Sequence, residues 1–405
     1  MDNMVNDHYR IPWKIIVIAI FLNFTTWAFL FIIPPMETIL SASLRISHFQ
    51  TSLLFTAPII MLAIVAIPAG IIADRIGLKR AIGFGTVIAS IAALLRGIES
   101  TYSGLLILSL IFGFGMGFTF SNLPKLARSC SSTRQTSLVM GFITAFGLLA
   151  GIGFALAITI PLIYPLTKDY HDVFYIWSIP LVIATILWWI LVHEPPCPSN
   201  EVESDAKGSI GLKEVLRDKT LWSLAFILLL HNIYFYTWAA WIPTFLLQKG
   251  VSLGFSGLLA SVMLWVGVPT IIFIPKLFSK TNISKRLLIW LPSLIFAFLS
   301  IWIIYATGFS LWIIMIIAGI INILRFNTLL SLPVEIMPKK HAGVAGGVVI
   351  AIGYLGAVIG PSMAGIILDV TGSFQIIFLI LAVISIITMV LTFLIPTNNK
   401  KAENY

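Results

Sequence analysis

Polar residues are scarce along this chain and fall in clusters, and the stretches between the clusters are apolar for about twenty residues or more. A half-buried strand would alternate and a surface helix would show one apolar stripe; these stretches are apolar all round. A helix crossing the hydrocarbon core of a bilayer needs roughly 20 such residues. The pattern predicts twelve spanning helices, near 13–38, 48–73, 80–98, 103–126, 136–162, 172–192, 219–247, 253–276, 285–306, 309–332, 341–368 and 374–396. Polar residues, Gly or Pro punctuate each junction, as turns require. The longest hydrophilic stretch carries Pro195, Pro196 and Pro198 among mixed charges and divides the spans six and six. The expected architecture is an all-α membrane protein. It has an N-terminal six-helix bundle over 1–193, a cytoplasmic linker over 194–218 and a C-terminal six-helix bundle over 219–405.

Composition agrees with the pattern. Of 405 residues, 59% are hydrophobic and 10% charged, against about 25% charged in a soluble domain. The formal net charge of +9 would suggest nucleic acid in a soluble protein. Here the cations occupy short segments between spans, so they predict orientation and no nucleic-acid partner. Of the 25 Lys and Arg, 20 fall on one side of the predicted spans and 4 on the other (Arg45, Arg96, Lys168 and Lys249), while Arg325 lies inside a span. That bias places both termini in the cytoplasm of a multi-pass protein of the cytoplasmic membrane. The segment Met1 to Lys14 runs into the first span without a small-residue cleavage site, so that span is expected to be retained. Cys130 and Cys197 fall on the cytoplasmic side as free thiols. No disulfide framework, metal-ligand spacing or cofactor is predicted.

The halves repeat weakly. Asn23 and Pro34 recur as Asn232 and Pro243, Lys79-Arg80 as Lys285-Arg286, and Gly141 and Gly147 as Gly347 and Gly353; Asn122-Leu123-Pro124 is similar to Ser331-Leu332-Pro333. The preserved order suggests duplication. Two such bundles would provide a pathway between them, and rocking would expose it to each side in turn.

After the second span the chain reads Gly70-Ile-Ile-Ala-Asp74-Arg75-Ile-Gly77-Leu-Lys79-Arg80. This resembles the signature loop of the major facilitator superfamily, in the position where that family carries it. A basic stop-transfer loop would explain the cations but not Gly70, Asp74 and Gly77 at these spacings. The resemblance implies the major facilitator fold and a conformational latch built on Asp74. The second-half counterpart is degenerate, with Lys280 where Asp74 would align. Glycines crowd the fifth span (Gly141, Gly147, Gly151, Gly153) and the eleventh (Gly343, Gly346, Gly347, Gly353, Gly356, Gly360), which permits close helix contact. The fifth span lacks the Gly-Pro pair of the family's antiporter motif, so antiport is not inferred. Three stretches, around Asn122-Leu123-Pro124, Asn232 to Ser252 and Gly343 to Gly372, resemble the cyanate and 2-nitroimidazole porters, more distantly the nitrate/nitrite porters. That resemblance implies a secondary transporter of small solutes, often anions of the cyanate, nitrite/nitrate or small carboxylate type, and a monomer is expected.

An ionisable residue deep in a membrane is costly and is by default a functional candidate. Arg325 lies roughly 24 Å into the tenth span at about 1.5 Å per residue. Its guanidinium is a planar fork of donors suited to an oxyanion or carboxylate, and Asn322 shares its face. Two readings stay open: Arg325 binds an anionic substrate, or it is paired structurally, with Glu335 as partner. In the seventh span, His231 beside Asn232 suits substrate binding, a co-transported proton or a packed core role. The first, fourth, seventh and tenth helices line the cavity in the superfamily. On that resemblance Asn23, Trp27, Asn122 and Tyr236 join the candidate set. Glu37 and Arg96 are expected at the outer interface. No carboxylate is expected deep in a span, which disfavours exchange of cationic drugs for protons. The alternative is export of hydrophobic drug-like or nitroaromatic compounds along an aromatic pathway. The sequence contains no H-E-x-x-H, G-x-S-x-G or Walker A signature, so a membrane enzyme of those types is not expected.

Overall fold

The computed structural model describes residues 11–194, 217–278, 283–336 and 342–395. Cys197, the linker prolines, Lys280 and the cations Arg10, Lys207, Lys213, Lys339, Lys340, Lys400 and Lys401 lie outside them, as does the side chain of Glu335. Among the described residues there is no strand, and twelve helices are long and apolar enough to cross a membrane. They are α1 (Trp13–Leu44), α2 (His48–Ile76), α3 (Leu78–Arg96), α4 (Tyr102–Ser129), α5 (Gln135–Thr167) and α6 (Tyr170–Leu191), then α7 (Lys219–Gln248), α8 (Leu253–Phe273), α9 (Leu287–Tyr305), α10 (Phe309–Pro333), α11 (Ala345–Thr371) and α12 (Phe374–Leu394). Large apolar side chains such as Ile64, Ile67, Phe298 and Val383 are exposed on them. A lipid tail is as apolar as Leu, so such surface is stable in a bilayer and would not be in water.

Contacts group the chain into two compact units. The first contains Met1–Ile46, Leu53–Pro198 and Val251–Leu264; the second contains Ser47–Ser52, Ser199–Gly250 and Trp265–Tyr405. The opening turn of α2 therefore groups with the second unit and the first half of α8 with the first.

Within the first unit, α1 extends beyond its predicted end at 38. A 3-10 turn at Pro34–Met36 interrupts it, where two consecutive prolines remove backbone donors. The chain then resumes helix to Leu44 and stops at Arg45, which adopts the left-handed conformation. The α5 span contains two π-helical segments, Ile143–Leu149 and Thr159–Ile163. Such widened turns loosen the backbone ladder and leave carbonyls for other donors. Asn23 Nδ2 donates to Ile143 O at 3.2 Å, joining α1 to the first of these segments. Trp177 Nε1 donates to Thr159 Oγ1 at 3.1 Å at the start of the second. Gly151 brings α5 so close to α1 that a Cβ there would sit 2.5 Å from Phe24 O.

The second unit is built on the pairing of α7 with α11. Gly356 lies where a Cβ would fall 2.2 Å from Leu229 O, so no side chain fits. Beside it, Asn232 Nδ2 donates to Gly353 O at 2.9 Å. Each unit thus uses the repeated asparagine in the same way, as a clamp from its first full span to a carbonyl of its fifth. Trp241 Nε1 adds a bond to Pro361 O at 3.0 Å. At the other end of α11, Asp369 accepts from the amides of His48 and Phe49 at 2.8 and 2.9 Å, satisfying the opening turn of α2.

Candidate functional site

Spans α7 and α1 are the most internal of the twelve, with 89% and 72% of their most apolar windows buried. A chain in lipid buries a helix only against protein, so polar groups on these two spans face neighbouring helices.

Arg325 on α10 is 1% exposed. Its Nε donates to His231 Nδ1 at 2.8 Å and its Nη1 to Ser293 Oγ at 3.2 Å. The guanidinium carbon lies 4.5 Å from the ring centre of Phe296 and 5.8 Å from that of Tyr234. The third nitrogen, Nη2, has no hydrogen-bond partner among the described residues. Nor does Asn322 Oδ1, one turn away on the same helix. Aromatic faces attract a cation, but their contribution of about 2 kcal/mol or somewhat more when desolvated does not replace hydration worth several kcal/mol per ion. The buried guanidinium thus keeps one nitrogen without a partner and has no carboxylate bonded to it among the described residues.

His231 is packed as well as bonded: its ring stacks on Phe326 at 5.6 Å and 21°. Tyr234 continues the lining, 4.2 Å from Phe296, and its hydroxyl accepts from Ser300 Oγ at 3.3 Å. The structure brings Arg325 and His231 together, with Asn322 on the same helical face. It directs Asn232 to α11, as above, and Tyr236 toward Tyr354, with ring centres 6.3 Å apart.

The candidates of the first unit lie among its own helices. Trp27 is buried against Phe31 and Phe120, at 6.2 and 5.7 Å, with its Nε1 unpartnered among the described residues. Asn122 donates to Phe118 O at 2.8 Å and to Ala69 O at 3.4 Å, and its Oδ1 has no partner among the described residues. Asn23 holds the α5 carbonyl already described.

The signature loop has a well-defined geometry. Asp74 Oδ1 pairs with Lys125 Nζ at 2.5 Å, and the same ammonium donates to Gly70 O at 3.0 Å. Gly77 has φ of 91°, a conformation that side chains with a Cβ rarely adopt. A Cβ there would also lie 2.6 Å from the Glu194 carboxylate, whose Oε1 accepts from Lys79 N at 3.3 Å. Trp188 Nε1 donates to Lys79 O at 3.0 Å. Arg75 and Arg80 are exposed.

Several contacts of the candidate residues escaped the sequence reading. Ser293 and Ser300 are the only small polar residues of the otherwise apolar α9, and that isolation is the signal that could have singled out Ser293. Lys125 follows the quoted Asn122-Leu123-Pro124, but nothing local ties it to Asp74, 51 residues away. Arg96 was expected at the interface and is instead fully buried, between Phe29 at 5.4 Å and Phe174 at 4.9 Å, with its three nitrogens unpartnered among the described residues. Glu37 is likewise buried. Position near a helix end predicts an interface only where no neighbouring element covers that end. Here α6 lays Phe174 over Arg96.

The profile of the Major Facilitator Superfamily matches residues 16–361. The chain belongs to that superfamily: it is a transporter of twelve membrane-spanning helices, not an enzyme. It is 24% identical over 377 residues to YycB, an uncharacterized transporter of Bacillus subtilis, covering 90% of this chain and 89% of that one. Over 328 residues it is 24% identical to CynX, the cyanate transport protein of Escherichia coli, covering 80% and 83%. Over 379 residues it is 24% identical to a hexuronate transporter of B. subtilis, covering 83% of each. A bacterial homolog of the human lysosomal transporter Spinster, solved in an inward-facing, unoccupied conformation, shares the fold with a TM-score of 0.80 at 14% identity. The match covers 97% of this chain and 98% of that one. The resemblance to cyanate porters drawn from three stretches of sequence therefore extends along most of the chain.

Proposed function

We propose that this protein is a secondary transporter of a small anion across the cytoplasmic membrane, working by alternating access with Arg325 as the anion-binding group. The observation that carries this reading is the Nη2 of Arg325, buried and without a partner or a bonded carboxylate among the described residues. Relatives whose names specify cyanate and hexuronate add support, since both are anions. Asn322 would orient the bound anion. Trp27, Asn122, Asn23, Asn232 and Tyr236 are assigned to lining or shaping the path, and the Asp74–Lys125–Gly70 cluster to latching one conformation. Both termini are assigned to the cytoplasm, and the monomer is taken as the working unit.

The test is uptake into proteoliposomes of radiolabelled cyanate, nitrite, nitrate and glucuronate, with a lipophilic cation alongside. The native protein should move at least one anion, and Arg325→Ala should cut that rate at least tenfold. Arg325→Lys should not restore it, because an ammonium lacks the planar fork. Native-rate anion uptake by Arg325→Ala would defeat the assignment of Arg325. Movement of the cation alone would favour the hydrophobic exporter.

A further inference from the structure

Arginine has only donors, so the His231 nitrogen facing Arg325 Nε must carry no proton. The imidazole at this position is neutral, with its single hydrogen on Nε2. A protonated ring could not keep the bond, since N–H would oppose N–H between two cations. One nitrogen of Arg325, Nη2, has no partner among the described residues, and one of its hydrogens lies on the same edge of the guanidinium as that of Nε. An oxyanion or carboxylate held by both donors of that edge, the strong bidentate arrangement, must displace His231 Nδ1. The displaced Nδ1 is then a buried acceptor without a donor, beside a negative charge. A proton placed on Nδ1 would turn that acceptor into a donor facing the anion.

We propose that His231 is the proton carrier of this transporter, and that anion and proton load together because each requires the Arg325–His231 hydrogen bond to break. This rests on the reading of Arg325 as the anion site. The proton comes from water on the side where the anion is taken up, and binds Nδ1. On the opposite side the anion leaves, the proton returns to water and Arg325 Nε again donates to Nδ1, so the protein is unchanged over the cycle. For a monoanion the cargo is electroneutral. No other described group at this place could carry the proton. Among the described side chains, the ionisable groups in the middle of the helices packed with α7 are Tyr234 and Tyr236 on α7 itself, Arg325 on α10 and Tyr354 on α11. On α9 the nearby polar groups are Ser293 and Ser300, and α12 has no ionisable residue. Asp369, near the far end of α11, is engaged by the amides of His48 and Phe49.

Two measurements test the proposal. The first uses the purified native protein in weakly buffered detergent with a pH-sensitive dye, adding nitrate, cyanate or glucuronate as probe. Proton uptake approaching one per anion bound is expected; binding without proton uptake overturns the proposal. The second uses proteoliposomes with the dye inside and an inward gradient of the same anion. The native protein should acidify the lumen by about one proton per anion. His231→Gln, which keeps an acceptor for Arg325 Nε but cannot be protonated near neutral pH, should move no protons with whatever anion flux remains. Full acidification by His231→Gln would overturn His231 as carrier while leaving Arg325 in place. If Arg325→Ala transports the anion at the native rate, the underlying anion site fails, and the proton proposal with it.

Discussion

Two arginines, Arg325 and Arg96, are enclosed in this protein, each against two aromatic rings and neither bonded to a carboxylate among the described residues. Their burial has the same energetic consequence and different chemical potential. A buried charge costs several kcal/mol in lost hydration, so replacing either by a similarly shaped apolar side chain is expected to preserve or raise stability. Arg325→Met should leave the melting temperature in detergent unchanged or higher while abolishing anion uptake, which is the signature of a group retained for function. Arg96→Met should likewise not lower the melting temperature, and should retain most of the transport; a fall in stability would mean that the guanidinium is bonded in a way the rings alone do not explain. Gly77 is the opposite type of residue, with no chemistry of its own. Gly77→Ala should destabilise by about 1 kcal/mol or more, because it adds left-handed strain to a clash with the Glu194 carboxylate. Thermal unfolding of the purified protein measures it.

The asparagine clamps operate between helices. Asn23 and Asn232 were read from sequence as candidates for the substrate path, on their depth in helices that line the cavity in the superfamily. The structure assigns the Nδ2 of each to a carbonyl, Ile143 O and Gly353 O. The repetition was legible because side-chain type survives duplication, but the partner, 120 or 121 residues away, was not. Asn232→Leu should therefore lower stability by about 1–3 kcal/mol through an unsatisfied carbonyl, read as a lower melting temperature. Gly356→Leu should be harsher, because a Leu cannot fit against Leu229 O without parting α7 from α11. The glycine spacing of α11 announced a close contact, and the identity of the facing helix had to come from packing. The π-helical segments of α5 had no signal beyond an excess of small and β-branched residues.

Across the whole molecule the sequence determined most of the architecture. Spans of lipid-compatible length and their number follow from hydropathy, because in a bilayer every backbone group must be satisfied within its own helix. The cation bias predicts that a reporter fused after Tyr405 lies in the cytoplasm and that one placed in the loop at Lys168 lies outside. Labelling with a membrane-impermeant reagent should distinguish them, and the reverse result would overturn the orientation. The sequence also exposed Arg325, since a charge inside an apolar run is visible without any structure. What only the tertiary structure decided is how that charge is accommodated. His231 lies 94 residues from Arg325 and Ser293 lies 32 away. Neither is marked by local pattern as its partner, because hydropathy records the cost of a buried charge and not the neighbours that lessen it. The same holds for Lys125 beside Asp74 and for Phe174 over Arg96. Lipid selects each helix by its own composition, so the spans can be read one at a time; a hydrogen bond between helices depends on rotation and register about both axes, which packing alone sets.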